Sequence, residues 1–179
     1  VDNQSFNWYA IIESSVTLQQ GDILFNFPIL IPNSQIIDDS PKNKDIEIDK
    51  EKSDVVVLSQ SCDLEKNSGQ DLIVLCPAYD FKDSPLLNKK SNWEPLVKNR
   101  YLNIFMLNKC EIKNHEFDYK FVDLKKVITS PCDFVKEFSK KGEYRLRLLP
   151  PYREALSLAF GMQFMRVGLP IPLPRDYPL

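Results

Sequence analysis

Hydrophobic residues in this chain fall into short runs broken by polar and proline-rich stretches, a spacing that predicts more strands than helices. Val55-Val56-Val57-Leu58 and Leu72-Ile73-Val74-Leu75-Cys76 are continuously apolar, as expected of strands buried on both faces, and Asn67-Ser68-Gly69 between them predicts an antiparallel hairpin. The second run is expected to stop at Pro77. Upstream, an apolar stretch from Trp8 to Ile12 leads to Gln20-Gly21-Asp22-Ile23-Leu24-Phe25, a Gly-Asp turn feeding a strand that Pro28 limits to an edge or an early end. Further strands are predicted at Tyr101–Leu107 and Tyr119–Val127, joined by a polar connection that holds His115. Tyr144-Arg145-Leu146-Arg147-Leu148 alternates with period 2, one face apolar and one cationic.

Helical signals are fewer. A short helix is expected near Asn92 to Arg100, with Pro95 tolerated only in its first turn, and another from Pro131 to Phe138, closed by Gly142. The clearest runs from Tyr152 to Arg166, opened by Pro151 and closed by Gly168 and Pro170. Residues 167–179 then form a proline-rich extended tail, since proline fixes φ and removes donors. Residues 33–53 read as a charged, solvated loop, with a small ribbon at Ile46-Glu47-Ile48. The expected architecture is one mainly β (α+β) domain over residues 1–179, with an insertion after the third strand.

Composition agrees with a single domain. At 179 residues and 43% hydrophobic content the chain can bury a sizeable core, and 5 glycines against 13 prolines favour rigid punctuation over flexible linkers. The net charge of −2 conceals a polarity: residues 1–80 carry 14 acidic and 5 basic side chains, residues 81–179 carry 11 and 18. The halves can neutralise each other on folding, or the basic half can face an acidic protein segment or a phosphate. Lys140, Lys141, Arg145 and Arg147 form its densest positive feature.

Cys62, Cys76, Cys110 and Cys132 form no CxxC pair, and a single histidine makes a metal site a poor fit. Scattered thiols suit a reducing cytosol, where free cysteine behaves as a small buried hydrophobe. Without a long apolar run, signal peptide or lipidation motif, the expected location is the cytoplasm and no membrane partner is expected. No glycine-rich phosphate loop is present, so no nucleotide or other cofactor is expected.

Gln20-Gly21-Asp22-Ile23, Val55-Val56-Val57-Leu58-Ser59 and Leu72-Ile73-Val74-Leu75-Cys76-Pro77, in this order, resemble the MazF/PemK family of toxin ribonucleases over about residues 18 to 80, with Phe121-Val122-Asp123-Leu124 adding to the likeness. The resemblance implies a small SH3-like β-barrel, commonly dimeric, whose active members cut single-stranded RNA. It also implies an arginine in the loop after the first strand and a hydroxyl residue beyond the Cys-Pro strand end. Residues 26–53 contain no arginine and Pro77 is followed by Ala78-Tyr79-Asp80, while Lys42 and Lys44 are weaker bidentate phosphate partners. Ser59-Gln60-Ser61-Cys62-Asp63-Leu64, Pro150-Pro151-Tyr152-Arg153-Glu154 and Phe164-Met165-Arg166-Val167-Gly168-Leu169-Pro170 are further similar to small prokaryotic proteins of mobile elements and defence loci.

These features favour a non-catalytic interaction or regulatory module. The alternatives are a toxin-like endoribonuclease with a rearranged site and a single-stranded RNA binder without cleavage. Ser59, Ser61, Cys62 and Asp63 are the catalytic candidates. Asp63 disfavours a thiolate at Cys62, and His115 lies in a polar turn, so the serines and Asp63 are expected instead to cap the turn by accepting backbone N–H groups. On the C-terminal helix, Tyr152, Leu156 and Phe160 run down one side and Leu158, Met162 and Met165 down another. Two apolar faces on one helix point to a protein partner, a homodimer, or the proline-rich tail as cover.

Overall fold

Residues 6–31, 49–66, 71–98 and 100–165 are described by a computed structural model. Eight strands make one antiparallel sheet: β1 (Tyr9–Glu13), β2 (Asp22–Ile31), β3 (Asp49–Val57), β4 (Leu72–Asp80), β5 (Ile104–Leu107), β6 (Lys120–Asp123), β7 (Ile128–Pro131) and β8 (Tyr144–Leu148). Four helices accompany it, α1 (Ser61–Lys66), α2 (Lys90–Val97), α3 (Cys132–Ser139) and α4 (Tyr152–Phe164). The strand order is β1-β8-β2-β3-β4-β6-β5, with β7 added to β4, so the sheet is open rather than closed. It nevertheless curls. The Tyr9 hydroxyl of β1 donates to the Asn108 carbonyl, just past β5 at the far end of that order, at 2.6 Å. Burial pushes this phenol far above its ordinary range, with Cys110 adding to the effect.

The period of 2 along β3 and β4 explains two cores on one sheet. Val56 and Leu58 face a cluster with Ile23, Cys76, Phe105, Val122, Leu146 and Leu156, whereas Val55 and Val57 join Leu24, Phe27, Leu64, Ile73, Leu75 and Val135 under α1 and α3. A third cluster seats α2, through Leu96, on β5 and β6. The central antiparallel pair expected from the two apolar runs is therefore present, with Val56 opposite Cys76. Leu72, at the start of β4, is exposed.

Several boundaries differ from the sequence reading, each for a topological reason. β4 continues through Pro77 to Asp80, because β7 pairs with it as far as Leu75 and β6 takes over at Ala78, so the missing N–H falls at the seam. β2 likewise runs past Pro28. Beyond Ile23 it pairs with β3 alone, so Pro28 sits on an edge, and Asp49–Ser53, expected in the charged loop, form the other half of this two-stranded ribbon. The rest of that loop, with Ile46–Ile48, lies outside the described residues. A bulge between Leu24 and Phe27 bends β2, with Asn26 at φ 55° and its N–H on Asp54 Oδ1 at 3.0 Å. Of the predicted strand at 119–127 only Lys120–Asp123 is strand, β6, and β7 begins just beyond it at Ile128, while α2 begins at Lys90, two residues early, which puts Pro95 in its second turn. α4 ends at Phe164, and the tail from Arg166 lies outside the described residues.

Two buried polar nodes tie the strands together. Asp22, 0% exposed at the start of β2, receives Arg145 Nε at 2.8 Å, Arg147 Nε, and Arg147 Nη2 at 3.0 Å, all from β8. Lys120 of β6 reaches Asp54 at 3.0 Å and Asp80 at 2.9 Å, joining β3, β4 and β6. Burial alone would lower this ammonium's pKa, but hydrogen bonds and charge from Asp80 and Asp54 outweigh it and hold the group above the ordinary lysine range.

Val57→Asp places an unpaired carboxylate in a position with 0% exposure on the central strand. The variant should lose its cooperative thermal transition, monitored by circular dichroism; a melt within a few degrees of the parent would show that β3 is not the core strand.

Candidate functional site

Three sequence motifs far apart in the chain meet at one end of the sheet. The turn Gln20-Gly21 enters β2, Ser59–Asp63 leaves β3 and opens α1, and Arg153–Ser157 forms the first turns of α4. Gln20 joins all three: its side-chain amide donates to Leu58 O at 2.8 Å and to Ser157 Oγ at 3.4 Å, and its backbone N–H donates to Ser61 Oγ at 3.2 Å. Gly21 makes the approach possible. At φ +86° it adopts a conformation that favours glycine, and a Cβ there would lie 3.1 Å from both Arg153 Cγ and Leu148 O.

Ser59 and Ser61 accept backbone N–H groups, as expected, but from neighbouring segments rather than from their own turn. Ser59 Oγ takes the Val74 N–H of β4 at 2.9 Å, and Ser61 Oγ takes that of Gln20. Cys62 is exposed, which corrects the expectation of a buried structural thiol, whereas Cys76, Cys110 and Cys132 are buried. All four cysteines are free. The Cys62 Sγ lies 3.8 Å from Gln60 Oε1 and 3.7 Å from Asp63 Oδ1, and its one hydrogen can be donated to either. Both oxygens are acceptors, so neither can take part in catalysis as a donor to a substrate oxygen. Asp63 therefore meets the thiol rather than capping the turn. Arg153 forks onto Glu154 at 3.2 and 2.7 Å, and this hydrogen bond holds the Glu154 carboxyl below its usual range. The arrangement is a hydrogen-bonded polar surface around one accessible thiol, without an acid–base pair.

The cationic strip divides in two, and this corrects its reading as one phosphate-binding face. Arg145 and Arg147 are 3% and 7% exposed. All five N–H donors of Arg145 are used: Nε on Asp22, Nη1 on the carbonyls of Glu13 and Ser14, and Nη2 on those of Val16 and Thr17. Arg147 spends its donors on Asp22, Gln19 Oε1 and Thr17 O. The pairing of the acidic and basic halves, the alternative weighed from charge alone, is what these two arginines do. Lys140 and Lys141 stay outside, the first paired with Glu137 at 2.6 Å and the second 4.9 Å from the Phe138 ring centre. A cleft of about 300 Å³ is lined by Ser14–Leu18, by Leu64 and Glu65 of α1, and by Lys136 and Ser139 of α3 with Lys140 just past it, so its charges are mixed.

On α4 the two apolar sides separate as the helical spacing requires. Leu156 is fully buried and Tyr152 and Phe160 pack on the core, which corrects their assignment to a partner surface. Tyr152 stacks on Trp8 with ring centres 3.6 Å apart, and Phe160 meets Phe164 edge-on. Leu158, Met162 and Met165 are exposed, together with Phe164. Among the described residues no cluster of three or more His, Cys, Asp or Glu side chains is arranged to hold a metal ion, and no helix is long and apolar enough to cross a membrane.

Gln20, Gly21 and Asp22 are the residues whose roles the sequence left hidden; it marked them as a turn before an apolar run and as part of a motif, without showing what they bind. Comparison with known protein families and with curated proteins gives no match to this chain.

Cys62 should react first when the native protein is titrated with an aromatic disulfide, because burial shields the other three thiols and pushes Cys76 up to about 12, with Asp123 adding to the rise. Cys62→Ser should abolish the fast phase; a fast phase that survives would show that a second thiol is accessible.

Proposed function

We propose that this chain is a non-catalytic protein-interaction or regulatory module of a prokaryotic stress or defence system, acting in the cytoplasm. The observation that carries this reading is α4, anchored by the buried Leu156 while Leu158, Met162 and Met165 face outward. Apolar side chains grouped on one exposed helix face mark a contact surface, and methionine adapts its shape to a partner. We further infer that the scaffold is an opened SH3-like barrel of MazF/PemK type. Its support is the bend of β2 at the Leu24–Phe27 bulge and the approach of Tyr9 to Asn108 across the gap between β1 and β5. Four unpaired thiols fit a reducing compartment.

A ribonuclease reading draws little from the geometry. Cleavage through a cyclic phosphate needs a base at the 2′-oxygen and a cation on the phosphate. Arg145 and Arg147 are committed internally, and the groups around Cys62 are acceptors.

Two measurements on the purified protein test the proposal. Incubation with a long single-stranded RNA should leave the RNA intact; efficient cleavage that disappears in Cys62→Ala or Asp63→Asn would replace this reading with the toxin-like one. The parent should self-associate or capture a host protein, and the double variant Leu158→Asp, Met162→Asp should melt like the parent, since both side chains are exposed, yet lose that association. Unchanged association in that variant would remove α4 as the contact surface.

A further inference from the structure

Both tryptophans of the chain, Trp8 and Trp93, line one cleft of about 270 Å³, with Val97, Met106, Leu107 and Tyr119 adding apolar wall and Asn108 one polar group. The rings are held firmly: Trp8 stacks on Tyr152, and Trp93 meets Tyr119 edge-on at 4.8 Å. A second cleft of about 170 Å³ lies between Leu158 and Met162 of α4 and the segment around Leu102 and Ile104. Ile104 and Met106 are two apart on β5, hence on the same face of that strand, so the two clefts adjoin along one edge of the sheet. Among the described residues no charged side chain lines either of them.

The chain carries a segment of matching chemistry. Val167-Gly168-Leu169-Pro170-Ile171-Pro172-Leu173-Pro174 is uncharged over its whole length and carries three prolines at alternate positions, between Arg166 and Arg175. Proline-rich chain is pre-organised as an extended helix, and aromatic-lined grooves bind it with little further loss of entropy. Reach is sufficient. The 13-residue α4 is about 20 Å long, and the 14 residues after Met165 can extend about 43 Å at the polyproline rise. They depart three residues after Met162, which already lines the nearer cleft.

We propose that residues 166–179 of the same chain dock along this trough, crossing Leu158 and Met162 and setting Pro170 to Pro174 against Trp8 and Trp93. A consequence, which rests on the interaction role proposed above for α4, is self-inhibition: a partner that takes Leu158 and Met162 must first displace the tail. The docking itself does not depend on that role.

Because every tryptophan of the chain lines the trough, indole emission reports on it alone. Acrylamide quenching of the full chain should be weak. In the full-chain double variant Ile171→Asp, Leu173→Asp, charge is driven into an uncharged cleft, so quenching should rise about twofold with a red-shifted emission and an unchanged thermal transition. Equal quenching in parent and variant would overturn the proposal. Protection in the parent should also survive roughly hundredfold dilution, since an intramolecular contact does not obey mass action; protection lost on dilution would overturn docking within one chain and assign the trough to the tail of a second copy. Association of the α4 double variant tests the interaction role and the quenching of the Ile171→Asp, Leu173→Asp variant, whose α4 is intact, tests docking, so the two proposals fail separately.

Discussion

The buried carboxylate of Asp22 between two arginines is the constraint on which the rest of the structure depends. Ion pairs taken out of water lose several kcal/mol of hydration per charge, and that loss is offset only where geometry and hydrogen bonding are nearly complete. Here they are. Asp22 stands directly opposite Arg147 in the β2–β8 register, while Arg145 lies opposite Ile12 of β1, so one carboxylate ties the edge strand and its neighbour to β2. Two cations against one anion leave an excess positive charge. Carbonyls from Glu13 to Thr17 turn inward to meet it, so the connection from β1 to β2 is shaped by the charges it covers. Among the described residues no buried side-chain nitrogen or oxygen is left without a partner.

The same node sets the candidate site. Gln19 N–H donates to Asp22 Oδ2 at 3.0 Å, and Gln19 Oε1 accepts from Arg147, which holds the turn immediately before Gln20 and Gly21. Gly21 then exchanges backbone bonds with Leu148 and Val57, so the end of β8, the end of β3 and the start of α4 arrive together. Packing, rather than a catalytic constellation, is the visible reason for this convergence. What it exposes is the Ser59–Asp63 turn on one side and the outer face of α4 on the other.

Sequence pattern reveals what is local and periodic. Val55 to Val57 could be assigned to two cores because a continuous apolar run of strand length has no solvated side, and Tyr152 to Phe164 because Pro151 and a helical spacing mark it. Alternation also placed Arg145 and Arg147 on one face. It could not show that the face is covered, because the cover is an unremarkable polar connection that acts mainly through its backbone carbonyls, with Gln19 Oε1 the one side-chain acceptor. Pro77 was misread for a related reason: a proline breaks a ladder only if its missing N–H is needed, and the change of partner from β7 to β6 is set by distant sequence. Leu156 and Leu158 look alike in the sequence, and only the packing of α4 on β8 and Trp8 separates an anchor from an exposed contact.

Replacing one atom tests the central claim most directly. Asp22→Asn keeps the shape of the side chain and removes the charge that Arg145 and Arg147 share. Equilibrium urea unfolding of this variant should show a loss of about 3–5 kcal/mol, or no folded baseline at all, because two guanidiniums would stay buried without a counter-charge. A loss of less than about 0.5 kcal/mol, the range of an ordinary surface substitution, would contradict the account and show that the two arginines reach solvent.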